Sequence, residues 1–402
     1  MKILLIQNRF YPAIGGAETH TYLLSKYLAK KGHKVTVYTT TSLSKDDIPS
    51  ISLSPPFFIN PKKKTSLPEK EVIENVTVER FDMRLRFWSF NWIPEMFKKL
   101  KATAHEFDII HAHGYHISSS LAGCYYAKKS EKPFILTAHD LIIPDILSLD
   151  AKLLKRAYDK TFGKFLLKNS TKLIALTEDH IQQYTERGGE PGKIRIIPNA
   201  IELDKYKNKN SNQNTLDKYG IDKKDKVLLF VGRIDEYKGV QDIIEALPAI
   251  SAEYTDIKLV VVGRDYGYKG ELEKLRNKLN IRDKVIFAGS VPEKELIELY
   301  RRADIFILPS RMEGFGIVLL EAMASGILCI AYSIPSVRKV IKNNENGVLV
   351  KNEKELQDKI LYYLGNIEER RRIEANALKY VEKYDIKNVI NSIEKVYEEA
   401  LN

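Results

Sequence analysis

Cysteine is scarce: Cys124 and Cys329 are the only two in 402 residues, far apart and in no C-x-x-C spacing. That excludes a disulfide framework and a thiolate zinc site, and it suits a reducing compartment. Long apolar runs are missing too, and none approaches the length of a membrane span. The opening "MKILLIQ" has too short an apolar core for a secretory signal, and no small-residue cleavage site follows it, so a soluble cytoplasmic protein is expected. There is no low-complexity tract, and with 44% hydrophobic and 29% charged residues neither a disordered nor a collagen-like chain is in question. The sequence has no D-x-D and no clustered His, Cys or carboxylate spacing, so neither a metal nor a cofactor is expected. It has no G-x-G-x-x-G, and "GGEPGKI" is no P-loop: its glycine spacing is one residue short and no Ser or Thr follows Lys193.

Neither sign of charge is lacking, but the balance is basic, at +11. The cations are scattered among acidic residues, without an aromatic-and-basic RNA-binding signature or zinc-finger spacing, so no nucleic-acid partner is expected. A solvated basic surface accounts for the excess. An anionic small molecule or an anionic membrane surface fits the same charge.

What is present is alternation. "KILLIQ", "HKVTVYTT", "FDIIHAH", "PFILTAH", "TKLIALT" and "IRIIPN" read as strands with helical stretches between several of them. A second series runs through "KVLLFVGR", "IKLVVVGR", "KVIFAGS", "ADIFILPS", "ILCIAYS" and "NGVLVK". Continuous apolar strands belong to parallel sheets covered by helices on both faces, so two doubly wound α/β domains are expected. We place the first at 1–198, a polar Asn- and Lys-rich linker at 199–225, the second domain at 226–375, and terminal helices at 376–402. In the last of these, Val389, Ile390, Ile393, Val396, Tyr397 and Leu401 form one apolar stripe that needs a partner surface.

Open parallel sheets bind ligands beyond the carboxyl ends of their strands, so the residues found there matter most. Gly15 and Gly16 precede a helix and would let backbone N–H groups approach an anion; an ordinary glycine turn reads the same way. His111 and His113 end one strand, and His139 and Asp140 follow another. In "GRIDEYKG", Arg233 and Lys238 set a planar fork and a point charge in one loop, both suited to a diphosphate. In "EGFGIVLLEAMASG", Glu313 precedes a buried helix and Glu321 lies within its first turns. Carboxylates in so apolar a segment need partners, and vicinal hydroxyls of sugars and riboses are suitable ones.

Taken together and in this order, "GGAE", "HAH", "TAHD", "PNAIE", "VGRIDEYKG" and the Glu313…Glu321 segment resemble glycosyltransferase family 4, with the E-x7-E signature of retaining enzymes. The resemblance runs from residue 2 to the C-terminal helix. It implies the GT-B fold, two Rossmann-like domains facing a central cleft, with the last helix crossing back onto the first domain. It also implies residue roles. Glu313 would hold donor-sugar hydroxyls, beside the backbone of Gly314, Phe315 and Gly316 and the helix start at Ile317. Glu321 would bind the ribose, Arg233 and Lys238 the diphosphate, and Gly15 and Gly16 the same phosphates from the other domain. Val291 would lie by the nucleobase and His113 by the transferred sugar, with His139, Asp140 and Asn199 on the substrate side. Where the family reads P-N-G-[VI]-D, this chain has Ala200 and Glu202.

The implied reaction moves a sugar from a nucleotide-sugar donor to a carbohydrate or lipid-linked acceptor, with retention and without a metal. With no evident carboxylate nucleophile, front-face displacement is the expected course, the leaving phosphate being stabilised by Arg233, Lys238 and a helix N-terminus. The other readings are a nucleotide-sugar epimerase or phosphorylase, and a non-catalytic nucleotide-sugar binding protein. "RLRFWSFNWIPEMFKKLK" (84–101) mixes cations and aromatics; it suits peripheral contact with an anionic membrane, or a core-packing helix with a basic face.

Overall fold

A computed structural model describes residues 1–13, 15–43, 67–87, 90–139, 141, 149–207 and 213–402. The chain divides into two units, Met1–Ala200 with Ile386–Asn402, and Ile201–Asp385.

In unit 1 the apolar runs become β1 (Lys2–Gln7), β2 (Lys34–Thr40), β7 (Ile109–His113), β8 (Phe134–Thr137), β9 (Lys172–Ala175) and β10 (Ile194–Ile196), joined by β3 (Lys70–Ile73) and β4 (Val76–Phe81). The sheet order is β10-β9-β8-β7-β1-β2-β4-β3. All neighbours are parallel except β3 and β4. Period-2 alternation divides β1 between two cores: Ile3 and Leu5 pack with Leu24 and Leu28, while Leu4 and Ile6 pack with Leu100, Cys124 and Leu166. Helix α1 (Gly16–Lys30) follows β1 and stops where Gly32 adopts φ 89°, the left-handed cap expected there.

Two features of unit 1 differ from the sequence reading. The β3–β4 hairpin was not anticipated; Glu74 and Asn75, at φ 49° and 63°, make its two-residue turn. Residues 84–101 are not one amphipathic segment. Leu85–Phe87 (β5) and Phe90–Trp92 (β6) pair antiparallel, and a helix, Pro94–Thr103, begins after them. That helix turns Met96 and Leu100 into the core, because Pro94 sets its first turn and the apolar spacing fixes its inward face. Trp92 remains about half exposed at 48%, edge-on to Phe97; Trp88 and Ser89 lie outside the described residues.

Unit 2 has β11 (Lys226–Val231), β12 (Ile257–Val262), β13 (Val285–Gly289), β14 (Ile305–Leu308), β15 (Leu328–Tyr332) and β16 (Val348–Val350), all parallel, in the order β13-β12-β11-β14-β15-β16. Helix α2 (Val240–Glu253) follows β11 and α3 (Ile317–Ala324) follows β14. The described part of 201–225 is not a separate linker. Leu203, Tyr206, Leu216 and Ile221 are buried in unit 2, while Lys205 and Lys218 pair with Glu293 and Glu295. Its polar composition is that of a solvent face over a few apolar anchors. Residues 376–385 also stay in unit 2, held by Ala377, Val381 and Tyr384. At the neck of the unit the Ile201 N–H donates to the Tyr384 carbonyl at 3.0 Å.

The last helix, α4 (Ile386–Leu401), belongs to unit 1. Val389, Ile390, Ile393, Val396 and Tyr397 are buried with Ile3, Leu5 and Leu24, whereas Leu401, at the frayed end of the stripe, is exposed. Glu394 pairs with Lys31 and His33, and Glu399 with Lys172 and Arg195, which pulls the Glu399 carboxyl down to about 2.

Candidate active site

Each sheet reverses its strand order once within a run of parallel strands, between β1 and β7 in unit 1 and between β11 and β14 in unit 2. Such a switch point opens a crevice at the strand ends, and most of the sequence-selected residues sit beside one of the two.

In unit 2, β11 delivers Arg233 and Lys238, and β14 delivers Glu313. Gly239 turns at φ 73°, and a Cβ there would come within 2.1 Å of the Pro309 carbonyl, so only glycine allows the two loops to approach. The approach brings Lys238 Nζ to 2.5 Å from Glu313 Oε1, both side chains about nine-tenths buried. Arg233 is exposed; its guanidinium donates to the Tyr237 hydroxyl and lies 5.3 Å from the Tyr266 ring centroid. Burial pushes the Tyr237 phenol up to about 12, opposed by the cation of Arg233, with the charge of Glu313 also acting on it. Tyr237 therefore lies within electrostatic reach of both sequence-selected groups. It was not singled out in the sequence, where a tyrosine beside a lysine carries no signal of its own.

Glu321 sits on α3 and accepts a hydrogen bond from the Tyr300 hydroxyl at 2.8 Å. Burial raises its carboxyl above the usual range, while hydrogen bonds from Tyr300 and Tyr206 oppose the rise. These two phenols answer the need for partners that an acid in "IVLLEAMA" creates, and only the fold brings them there. Helix α3 is preceded by Gly316, with φ 84°, and no side chain among the described residues caps it; the Leu319 N–H donates to the Gly316 carbonyl at 2.9 Å, which leaves the N–H groups of Ile317 and Val318 for an acceptor. Phe315 is buried edge-on against Tyr384, Ile317 is buried and Gly314 is exposed. Val291, partly buried, lies just beyond β13, two strands from β11.

In unit 1, Gly15 and Gly16 begin α1, as expected, but the space at Gly15 is occupied by the chain itself. A Cβ there would fall 2.3 Å from a Glu18 carboxylate oxygen, and Glu18 is paired with Arg9 at 2.7 Å. An acid in the first turn already meets the helix dipole, so Gly15 is explained without a ligand. Asn199 is buried, and its Oδ1 has no partner among the described residues. Asp140 lies outside the described residues. The substituted "PNAIE" packs without strain: Ala200 is buried and Glu202 pairs with Lys205 at 2.6 Å.

The sequence spacing showed no metal-ligand cluster, yet the fold brings three histidines together. His113 Nδ1 lies 3.2 Å from His139 Nε2, and His20, from α1, joins them, one ring nitrogen of each lying within 4.8 Å of the others. Their sequence spacing gave no sign of this, because three separate elements supply them. Burial holds His20 down to about 4 and His113 and His139 well below the ordinary imidazole value, so all three are neutral.

Known proteins carry the same organisation. Residues 14–205 match the family model described as "Glycosyltransferase Family 4", and residues 211–380 that described as "Glycosyl transferases group 1". An uncharacterized glycosyltransferase of Methanocaldococcus jannaschii is 29% identical, over 100% of this chain and 99% of its own. The alpha-monoglucosyldiacylglycerol synthase of Streptococcus pneumoniae is 28% identical, over 90% of this chain and 78% of its own. Among solved structures, Anabaena HepE in complex with UDP and glucose superimposes with a TM-score of 0.77 at 20% identity, covering 99% of this chain and 100% of that one.

Proposed function

We propose, from the premise that this chain is a glycosyltransferase of GT-B fold, that it transfers a sugar with retention from a nucleotide-sugar donor to a carbohydrate or lipid-linked acceptor. The observation that carries the reading is the Lys238–Glu313 pair, buried at the unit 2 switch point beside an uncapped helix start. A buried ion pair adds little net stability, so a further use accounts for this one better than stability does. A diphosphate entering here meets Lys238, the exposed Arg233 and the α3 N–H groups. Its arrival draws Lys238 away from Glu313, whose carboxylate then accepts from donor-sugar hydroxyls. Glu321 takes the ribose hydroxyls and Val291 lines the base. For unit 1 the roles remain those the resemblance implies: Gly16 toward the donor phosphates, His113 toward the transferred sugar, and His139, Asp140 and Asn199 toward the substrate.

In the chemical step the bond from the anomeric carbon to the diphosphate oxygen breaks while the acceptor oxygen bonds to the same face of that carbon. The departing phosphate oxygen takes the acceptor's proton. The charge developing on the leaving group falls on Arg233, Lys238 and the α3 dipole, so no metal is needed for transfer. An epimerase or a non-catalytic binder on this fold would show no dependence on acceptor.

The direct test is a thermal-shift series with UDP, UDP-glucose and other nucleoside diphosphates and their sugars, followed by turnover with and without acceptor in the presence of a chelator. A nucleotide-dependent rise in melting temperature and acceptor-dependent release of nucleoside diphosphate support the reading. No stabilisation by any nucleotide removes it. A lipid-linked acceptor is favoured by half-exposed Trp92, with Arg84 and several lysines in the same stretch, and by the lipid named in the Streptococcus relative. Flotation with anionic liposomes at low salt tests it, and absence of binding there leaves the carbohydrate acceptor.

A further inference from the structure

Unit 1 converges three histidines from separate elements: His20 on α1, His113 at the end of β7 and His139 beyond β8. Burying three aromatic rings needs no explanation; burying their nitrogens does. His20 is 2% exposed, and neither Nδ1 nor Nε2 has a hydrogen-bond partner among the described residues. His113 is fully buried, and its Nε2 is likewise without one. A neighbour shows what a satisfied core imidazole looks like: His111 uses both nitrogens, on the Tyr397 hydroxyl and on Thr137 Oγ1, each at 2.8 Å. A neutral imidazole always carries one N–H and one lone pair, and buried polar groups are rarely left without partners. A hydrogen bond between His113 and His139 settles two of the nitrogens and leaves His20 with none.

A cation taking one lone pair from each ring gives His20 its first partner, while the other nitrogen of each ring keeps its N–H. Two nitrogens on a tetrahedral zinc, each at about 2.0–2.1 Å, stand about 3.3 Å apart. The His113–His139 separation of 3.2 Å already has that value, and His20 reaches it by a shift of about 1–2 Å from within the 4.8 Å cluster. Three neutral imidazoles, with no carboxylate in the cluster among the described residues, select against oxygen-seeking Mg2+ and Ca2+.

We propose that His20, His113 and His139 form a binding site for a divalent transition metal, with Zn2+ as the reference ion. The fourth position is left to water. In one respect this rests on the function proposed above: a metal on His113 withdraws that imidazole from the sugar, so occupancy inhibits transfer. Binding itself is independent of that reading.

The test uses the full chain, stripped with chelator and dialysed. Calorimetric titration with Zn2+ is expected to show one saturable site, and Co2+ to give the visible ligand-field bands of a four-coordinate complex. His20→Asn is expected to weaken binding at least as much as losing an outer-shell partner does, about 10–100-fold, while His105→Asn, an exposed histidine of the same unit, leaves it unchanged. Absence of saturable binding, or equal affinity in His20→Asn, overturns the site. X-ray absorption on the Zn2+-loaded wild-type protein keeps the test independent of how the variants fold: three imidazole nitrogens support the site, and an all-oxygen shell overturns it. Inhibition of transfer by stoichiometric Zn2+ supports the link to His113. Stoichiometric binding without inhibition overturns the sugar contact of His113 and leaves the metal site standing.

Discussion

The two units solve the same architectural problem and put different chemistry at the same place. Each is a parallel sheet with one switch point, and in each the crevice-forming strand ends carry the polar groups. Unit 1 holds all eight histidines of the chain, between His20 and His180, and its strand ends present neutral imidazoles. Unit 2 holds none; its strand ends present an arginine, a lysine and two carboxylates, braced by tyrosines. Fixed charge suits a phosphate leaving group, and neutral donors and acceptors suit an uncharged sugar. The proposed division of labour, donor phosphates on unit 2 and transferred sugar on unit 1, follows the residue types that each unit places at its strand ends.

The sharpest way to separate the units is acidification. His20 is held at about 4 and His111 at about 3, mainly by burial, against an ordinary value of 6.5. Below pH 6.5 the unfolded chain takes up protons that these folded imidazoles refuse, so the stability of unit 1, complete at pH 7, falls as the pH drops towards 4. Each of the two removes roughly 3 kcal/mol by pH 4, a large share of the roughly 5–15 kcal/mol a domain has. In unit 2 the partly buried carboxylates Glu321 and Glu374 are raised by desolvation, so protonation of these two on acidification favours the folded form. Tryptophan fluorescence reads unit 1 alone, since Trp88 and Trp92 both lie in it, and far-UV circular dichroism reads both units. Fluorescence is expected to lose its folded signal at a higher pH than dichroism loses its last transition; coincident transitions would erase the distinction.

Next in size is the cation that unit 2 keeps buried. Lys238→Ala is expected to lower transfer by about 10²–10³, the usual cost of removing one group aimed at developing charge. Unchanged turnover in a folded variant would remove Lys238 from the phosphate site. A smaller effect separates binding from chemistry. Glu321→Gln keeps the shape and the Tyr300 contact but loses the carboxylate, and nucleotide affinity is expected to fall about tenfold with little change in kcat. A larger change in kcat than in affinity would mean that Glu321 works nearer the reacting carbon than the ribose.

How much of this was legible beforehand depends on what each feature requires. Apolar runs and glycine caps are local, and β1, the strands named from them and the Gly32 stop lie where the sequence placed them. The β3–β4 hairpin was missed because the inward face of β4 continues from Val76 and Val78 to a charged residue, Arg80, and its turn is made by Glu74 and Asn75, with no glycine to mark it. The residues 201–225 misled because polar composition describes a surface and not the apolar anchors beneath it. At the candidate site, Lys238 and Glu313 were legible as charges in loops, but their pairing needed the crossing at Gly239. Tyr237, Tyr300 and the His20 cluster were not legible, since nothing in a linear spacing says which side chains three separate elements bring together.

The smallest effect tests where the comparison draws its line. Helix α4 follows unit 2 in sequence yet belongs to unit 1, and the one polar contact of its buried stripe described above is Tyr397 to His111. Tyr397→Phe keeps the ring and deletes only that hydroxyl, leaving His111 Nδ1 without its partner. A buried hydrogen bond contributes about 1 kcal/mol. Denaturant unfolding followed by tryptophan fluorescence should therefore show a loss of that size, with the unit 2 transition unmoved. A matching loss in unit 2 would mean that the two sheets unfold as one body, and that the boundary at Asp385 separates contacts without separating stability.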